Sequence, residues 1–172
     1  AANVFAVAPG ATLIPVKMHD AVSAFNAAVA QSPQVITNSW GYNVDTVTWV
    51  QLKAANLNLY NYLKALEAAV ANAVASGIVL CFSAGNGHRS FPGSHPDVIS
   101  VGGVHVEAPF TPFDKLEASS YASSFDSKLY PGRHSPDLCA LTGKAVKISG
   151  GTYAPSLMLP VQPGCTLDGI KP

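Results

Sequence analysis

The sequence predicts an α/β fold, a three-layer αβα arrangement around a largely parallel sheet, and two observations support this. Apolar segments with strand character alternate with segments of helical periodicity, which is the order that repeated crossover connections produce. In addition, 48% of the 172 residues are hydrophobic and only 12% are charged, so the chain has the side chains for an extensive core. We therefore expect helices on both faces of the sheet.

The N-terminal part of the chain supplies the first elements. Residues 4–10 predict a short extended segment that stops at a Pro-Gly turn, and residues 12–17 predict a strand after it. Because this apolar stretch has almost no polar lead-in, we expect further sequence upstream. Asp20 can cap a helix whose apolar residues recur at helical spacing until Pro33 ends it.

Two more strands and a long helical stretch follow. Residues 34–38 are β-branched and predict a strand, while residues 44–76 have helical periodicity with Gly77 as the expected C-terminal cap. Asparagines weaken the middle of that stretch, so it fits either two helices or a loop before one long helix. Residues 98–104 predict a further strand. Beyond Glu107 the sequence is rich in Ser, Pro and Gly, which favours edge strands and surface connections.

Residues 79–87 carry the first indication of a functional site. They form an apolar run closed by two glycines, which fits a central parallel strand. Ligands of open α/β sheets bind at the carboxyl ends of the strands, and Asn86 is the polar residue at that end. Asn86 is therefore the first candidate for chemistry, although Asn-Gly also fits a simple turn.

Charge and cysteine content limit the classes of function. Ten basic and ten acidic residues cancel, so the sequence shows no electrostatic footprint for nucleic acid or an anionic membrane. No apolar run approaches the length of a membrane span. Cys81, Cys139 and Cys165 lack zinc-site spacing, so we expect no metal site, and a pairing of Cys139 with Cys165 stays open.

Several stretches occur together in an order that is typical of one protease family. They are residues 7–13 with 16–17, 35–41, 73–79, 83–87 and 91–103. In content and order they resemble the central part of the catalytic domain of the subtilases, the subtilisin-like serine proteases. The match covers about residues 4–140 of a single partial domain, and residues 141–172 form a loop-rich extension toward the missing serine segment. The resemblance implies a subtilisin-like αβα fold and a serine endopeptidase that works through an acyl-enzyme.

The resemblance also implies roles for particular residues. In subtilases the asparagine that follows Ala-Gly donates its side-chain amide to the oxyanion, and Asn86 occupies that position here. Two strand ends are implied to form the walls of the substrate cleft, where small residues let a peptide lie as an extra strand. One wall consists of Ser39, Trp40 and Gly41, and the other of Ser83, Ala84 and Gly85. The same residues could instead be packing residues at strand ends, and for Trp40 the alternative is a place in the core.

The subtilase triad of Asp, His and Ser, in that chain order, is not found in this sequence. The first two are expected before Ala1, and no Gly-Thr-Ser triplet occurs. The nearest match has Tyr153 in place of serine, and Pro155 follows too soon for a helix interior. We therefore expect a piece of a catalytic domain that is inactive in isolation.

Other interpretations remain open from the sequence. The chain could come from a pseudoprotease or a peptide-binding scaffold. A sedolisin-type peptidase is less favoured, because there an aspartate takes the position of Asn86. A nucleotide-binding domain would need a glycine-rich turn that leads from the first strand into a helix, whereas Gly10 leads into another predicted strand.

The expected partners follow from the resemblance. They are a peptide or protein substrate and the remaining segments of the catalytic domain, and no nucleic acid or membrane is expected. No cofactor is expected, although the resemblance allows a structural calcium ion in the parent enzyme. By family resemblance only, we expect an extracellular or exported protein.

Overall fold

The computed structural model of the protein describes residues 2–106, 116–143, 146–148 and 151–153. Cys165 and most of the predicted loop-rich extension lie outside these ranges. The described helices are α1 (Ala2–Val7), α2 (Ala21–Val29), α3 (Trp49–Ala55) and α4 (Leu57–Ala75). The described strands are β1 (Val35–Asn38), β2 (Tyr42–Asn43), β3 (Val79–Ser83), β4 (Ser90–Phe91), β5 (Ile99–Val106), β6 (Leu116–Ala118), β7 (Phe125–Asp126), β8 (His134–Ser135), β9 (Leu138–Leu141), β10 (Val146–Ile148) and β11 (Gly151–Tyr153).

A mainly parallel sheet forms the centre of the structure. Its strand order is β1-β3-β5-β6, and β9 also pairs with β5. The pairs β1–β3, β3–β5 and β5–β9 are parallel, while β6 runs antiparallel to β5. This mainly parallel sheet with its helices confirms the α/β class. None of the helices in the described ranges is both long and apolar enough to cross a membrane.

The two longer crossover helices cover one face of this sheet. Phe25 of α2 stacks on Phe82 of β3 with ring centroids 6.3 Å apart, and α4 adds the fully buried Leu66 to the same core. The alternate strand residues face the other way, and Val35 and Val79 remain 54% and 45% exposed. In the described part of the chain, helices α2 and α4 therefore cover the sheet on one side only.

Local signals at the helix ends explain where the helices begin. The Asp20 carboxylate caps α2, as predicted, by accepting a hydrogen bond from the Ser23 backbone N–H at 2.8 Å. Tyr62 of α4 donates to the same carboxylate at 2.8 Å, which joins the two helices. Hydrogen bonds from Ser23 and Tyr62 lower the pKa of Asp20 to about 2. Asn56 caps α4 through Leu59 N at 3.0 Å, so the helical stretch is divided into two helices.

Two predictions near the N-terminus were wrong. Residues 4–10, predicted as extended, contain most of the short helix α1, whose end is closed by the bond from Ala8 N to Val4 O at 2.7 Å. Residues 12–17, predicted as a strand, pair with no strand of the described sheet, and Ile14 is 48% exposed. The backbone N–H and C=O groups of a strand need a neighbouring strand as partner, whereas those of a helix bond within the helix. An apolar segment without a neighbouring strand therefore does not form a strand.

A buried carboxylate joins the segment after β2 to the turn after β7. Asp45 has no exposed surface and accepts hydrogen bonds from Ser127 Oγ at 2.5 Å and Leu129 N at 2.9 Å, and from Lys128 N. These partners are 82 to 84 residues away in sequence. Because charge-assisted hydrogen bonds to a buried carboxylate are strong, this contact fixes two distant loops against each other.

We expect Asp45→Ala to lower the free energy of unfolding by about 2–4 kcal/mol, because two buried donors and one part-buried donor would lose their acceptor. The measurement is urea unfolding of the chain followed by circular dichroism. Asp126→Ala is the matched control, since Asp126 is 84% exposed and its ion pair with His134 contributes at most about 1 kcal/mol. Equal losses for the two variants would contradict this account.

Candidate active site

The carboxyl ends of the central parallel strands open into one cavity of about 230 Å³. Their register brings these ends together, since Asn38 of β1 is level with Phe82 of β3, and Ser83 is level with Val101 of β5. The Asn38 side chain also donates to Cys81 O at 3.3 Å and so ties the end of β1 to β3. The lining residues are Thr37, Asn38, Ser39, Cys81, Phe82, Ser83, Gly85, Asn86, Val101, Gly102, Gly103, Tyr121, Ala122, Ala140 and Thr142.

Four of the seven residues singled out from the sequence line this cavity, namely Ser39, Ser83, Gly85 and Asn86. The other three lie behind it. Trp40 is half-buried and packs edge-on against the Phe82 ring, with centroids 5.4 Å apart. Gly41 lies against Ser90, and Ala84 is buried with its N–H donating to Val101 O at 2.9 Å.

Asn86 lies on a turn whose backbone conformation depends on two glycines. Gly85 has φ +123° and Gly87 has φ +76°, conformations that residues with a side chain rarely adopt. Asn86 between them is exposed, and its backbone N–H donates to His88 Nδ1 at 3.3 Å. Its side-chain amide makes no hydrogen bond to any residue that the structure describes. The amide donors at this edge of the cavity are therefore available to a ligand.

The cavity has a further wall, formed by Tyr121 and Ala122 of the segment 119–123, that the sequence does not indicate. Ser119 Oγ donates to Gly143 O at 2.7 Å, and Tyr121 OH donates to Thr142 O at 2.6 Å. The segment lies in the Ser-, Pro- and Gly-rich sequence beyond Glu107, whose composition predicts edge strands and surface connections. Nothing in its local sequence indicates that it returns to β5, where Ser119 N donates to Gly103 O at 2.9 Å.

The cavity surface is neutral. None of the described residues that line it is charged, and burial raises the pKa of the Cys81 thiol, which keeps it protonated. Hydroxyl, amide and backbone groups are thus the polar atoms offered to a ligand. Such a surface suits an uncharged peptide backbone better than an ionic group.

The comparisons with known proteins place the chain in a family. A family model described as the subtilase family matches residues 1–161, which is nearly the whole chain. The chain belongs to the subtilase family. A search of curated protein sequences found no match.

Three of the solved structures that are similar to this subtilase have low sequence identity to it. Pseudomonas sedolisin, a serine-carboxyl proteinase complexed with pseudo-iodotyrostatin, is 22% identical, with 72% of this chain and 42% of that chain covered and a TM-score of 0.49. Sphericase is 15% identical, with 79% and 43% covered and a TM-score of 0.49. The prenylagaramide maturation protease PagA is 16% identical, with 85% and 45% covered and a TM-score of 0.45. The chain thus spans less than half the length of each.

The described part of the subtilase chain shows no serine hydroxyl hydrogen-bonded to a histidine ring. His134 pairs with Asp126, but their side chains are 78% and 84% exposed. His95 is buried, accepts a hydrogen bond from Asp97 N at 3.1 Å, and has its pKa lowered by burial. Tyr153, which takes the place of serine in the nearest match to Gly-Thr-Ser, lies in β11 beside β10.

The same described residues contain no cluster of His, Cys, Asp and Glu that could hold a metal ion. Cys81 and Cys139 are free thiols. The cavity therefore offers hydrogen-bond donors and acceptors as its chemical resources, with Asn86 as the most accessible amide.

We expect Gly85→Ala to destabilise the chain by about 2–3 kcal/mol or more, and Gly87→Ala by about 1–2 kcal/mol. Both replacements strain a positive φ, but only the new Cβ at residue 85 meets a backbone atom, His88 O at 2.4 Å. At residue 87 nothing lies within 4 Å. Urea unfolding of both variants measures the difference, and a larger loss at Gly87 would refute the described turn.

Proposed function

We propose that this chain supplies the oxyanion-binding part of a serine endopeptidase, in which the side-chain amide of Asn86 donates to the carbonyl oxygen under attack. The observation that carries the proposal is the exposed amide of Asn86 after β3, which makes no hydrogen bond to any of the described residues. Membership of the subtilase family supports the reaction class. The oxyanion role itself is the expectation drawn from the sequence.

Peptide hydrolysis by a serine protease requires a hydrogen-bond donor at this position. Attack on a peptide carbonyl moves negative charge onto its oxygen, and a donor already aimed at that oxygen stabilises the transition state more than the substrate. Hydrogen bonds from Ser123 to Gly85 O and His88 O hold the turn of Asn86, so little reorganisation is needed when the charge develops. The neutral cavity surface leaves the amide without a competing charged partner.

The substrate cleft in this proposal runs between two segments that leave the sheet. Ser39, Trp40 and Gly41 form one side, and Ser83, Ala84 and Gly85 form the other. The positions of Ser39 and Ser83 on the cavity support this assignment, and the packing of Trp40 on Phe82 supports a role as a rigid backing for the first wall. An extended peptide between the walls would use backbone hydrogen bonds for affinity.

The same proposal holds that the chain alone does not hydrolyse peptides. No serine–histidine pair occurs among the described residues, so the nucleophile and its base would come from remaining segments of the catalytic domain. No cofactor enters the proposed chemistry, although a structural calcium ion in the parent enzyme is compatible with it. An extracellular or exported location is proposed on family grounds only.

A second candidate function is a peptide-binding pseudoprotease. The observation that favours it is a formed cavity together with no serine–histidine pair in the described part of the chain. Both candidates predict peptide binding, but only the first predicts covalent chemistry in the complete protein.

We expect Asn86→Leu in the complete enzyme to lower kcat by about 10²–10³-fold with little change in KM, which is the loss known for the corresponding subtilisin asparagine. Leucine removes the donor while keeping a similar volume. Steady-state kinetics on a peptide amide substrate make the measurement. Asn72→Leu, at an exposed position of α4, is the control and should leave both constants unchanged. A kcat that stays within twofold in Asn86→Leu would end the assignment.

We also expect that a fluorophosphonate probe does not label the isolated chain, because none of its described serines is activated by a base. The complete protein should be labelled if it is a protease and unlabelled if it is a pseudoprotease. Intact-mass spectrometry after incubation reports the covalent adduct. An adduct on the isolated chain would show that it contains an activated nucleophile and would overturn this part of the proposal.

A further inference from the structure

We infer that Ser123 is a positioning residue that holds the turn of residues 85–88 and thereby aims the amide of Asn86. The inference rests on the proposed oxyanion role of Asn86. Ser123 does not line the cavity itself. Its hydrogen bonds reach the turn that carries Asn86, which does line the cavity.

Ser123 binds both ends of this turn. Its backbone N–H donates to Gly85 O at 3.0 Å, and its hydroxyl donates to His88 O at 2.5 Å. The two accepting carbonyls flank Asn86, one on each side. A single residue thus fixes the separation between the start and the end of the turn that presents the amide.

The turn depends on this outside support because its own sequence is permissive. Gly85 and Gly87 both have positive φ, and glycine restricts the backbone less than any other residue. Asn86 itself forms an isolated bridge with Ala122, of which the Ser123 N–H bond to Gly85 O is part, and its own N–H donates to His88 Nδ1 at 3.3 Å. At 2.5 Å, the bond from Ser123 Oγ to His88 O is shorter than the next bond along the chain, from Arg89 N to Asn43 Oδ1 at 3.2 Å, so it restrains the far end of the turn closely.

Ser123 is itself held in place, which a positioning residue requires. It is 8% exposed and ends the segment 119–123, which is anchored to the sheet through Ser119 N and Gly103 O at 2.9 Å. Tyr121 OH anchors the same segment to Thr142 O at 2.6 Å. A continuous set of hydrogen bonds therefore runs from β5 through this segment to the turn of Asn86.

The test is a double-mutant cycle in the complete enzyme with a peptide amide substrate. We expect Ser123→Ala to lower kcat by roughly 5- to 20-fold with KM nearly unchanged, since one hydrogen bond to the turn is lost. Ser123→Thr keeps the hydroxyl and should recover most of the rate. In an Asn86→Leu background, Ser123→Ala should have little further effect, because the amide that it positions is already gone.

A second measurement uses the chain itself and needs no activity. Amide hydrogen exchange, followed by NMR, should accelerate at Asn86, Gly87 and His88 in Ser123→Ala, while the amides of β3 stay protected. Ser124→Ala is the matched control, because Ser124 is an exposed neighbour outside the hydrogen bonds to the turn. It should change neither the exchange rates nor kcat.

The outcomes separate the two proposals. If Asn86→Leu leaves kcat unchanged, the oxyanion role fails. If Asn86→Leu lowers kcat but Ser123→Ala does not, or if the two losses multiply in the double variant, the positioning role of Ser123 fails alone. Unchanged exchange in the turn would also overturn it, because the serine would then act at another place. Loss of the whole fold in Ser123→Ala would overturn it too, because the serine would then support the entire structure and not the turn alone.

Discussion

The parallel register of β1, β3 and β5 is the constraint on which the rest of the structure depends. It aligns Asn38, Phe82 and Ser100 across the sheet, so the polar groups that follow each strand emerge at one edge. The Asn38 side chain reinforces this alignment through Cys81 O at 3.3 Å. A shift of one residue would turn the helix-facing side chains Leu80 and Phe82 toward the other face, which the buried core does not permit.

Much of this arrangement could be predicted because its signals are local. The capping carboxylate of Asp20, the apolar spacing of α4 and the apolar run of β3 each depend on neighbouring residues, and the structure confirms these elements. The position of Asn86 at the end of β3 followed from the same run. Its chemical role did not follow from the run, and it came from the family resemblance alone.

The features that the sequence did not predict depend on distant partners. Ser123 contacts residues 35 positions away, and Asp45 contacts residues more than 80 positions away, so no periodicity can indicate either. The segment of residues 12–17 shows the opposite error, because strand propensity is high there but no described strand pairs with it. Propensity describes what a segment prefers, and the available neighbours determine what it forms.

The face of the sheet opposite helices α2 and α4 makes the stability of the site depend on what binds there. Val35, Val79 and Leu138 share that face by register and are 54%, 45% and 50% exposed. Covering these side chains is favourable, so anything that binds this face stabilises the folded chain by mass action. The apparent melting temperature of the chain, and with it the fraction of molecules whose cavity is formed, therefore becomes dependent on the concentration of whatever occupies the face.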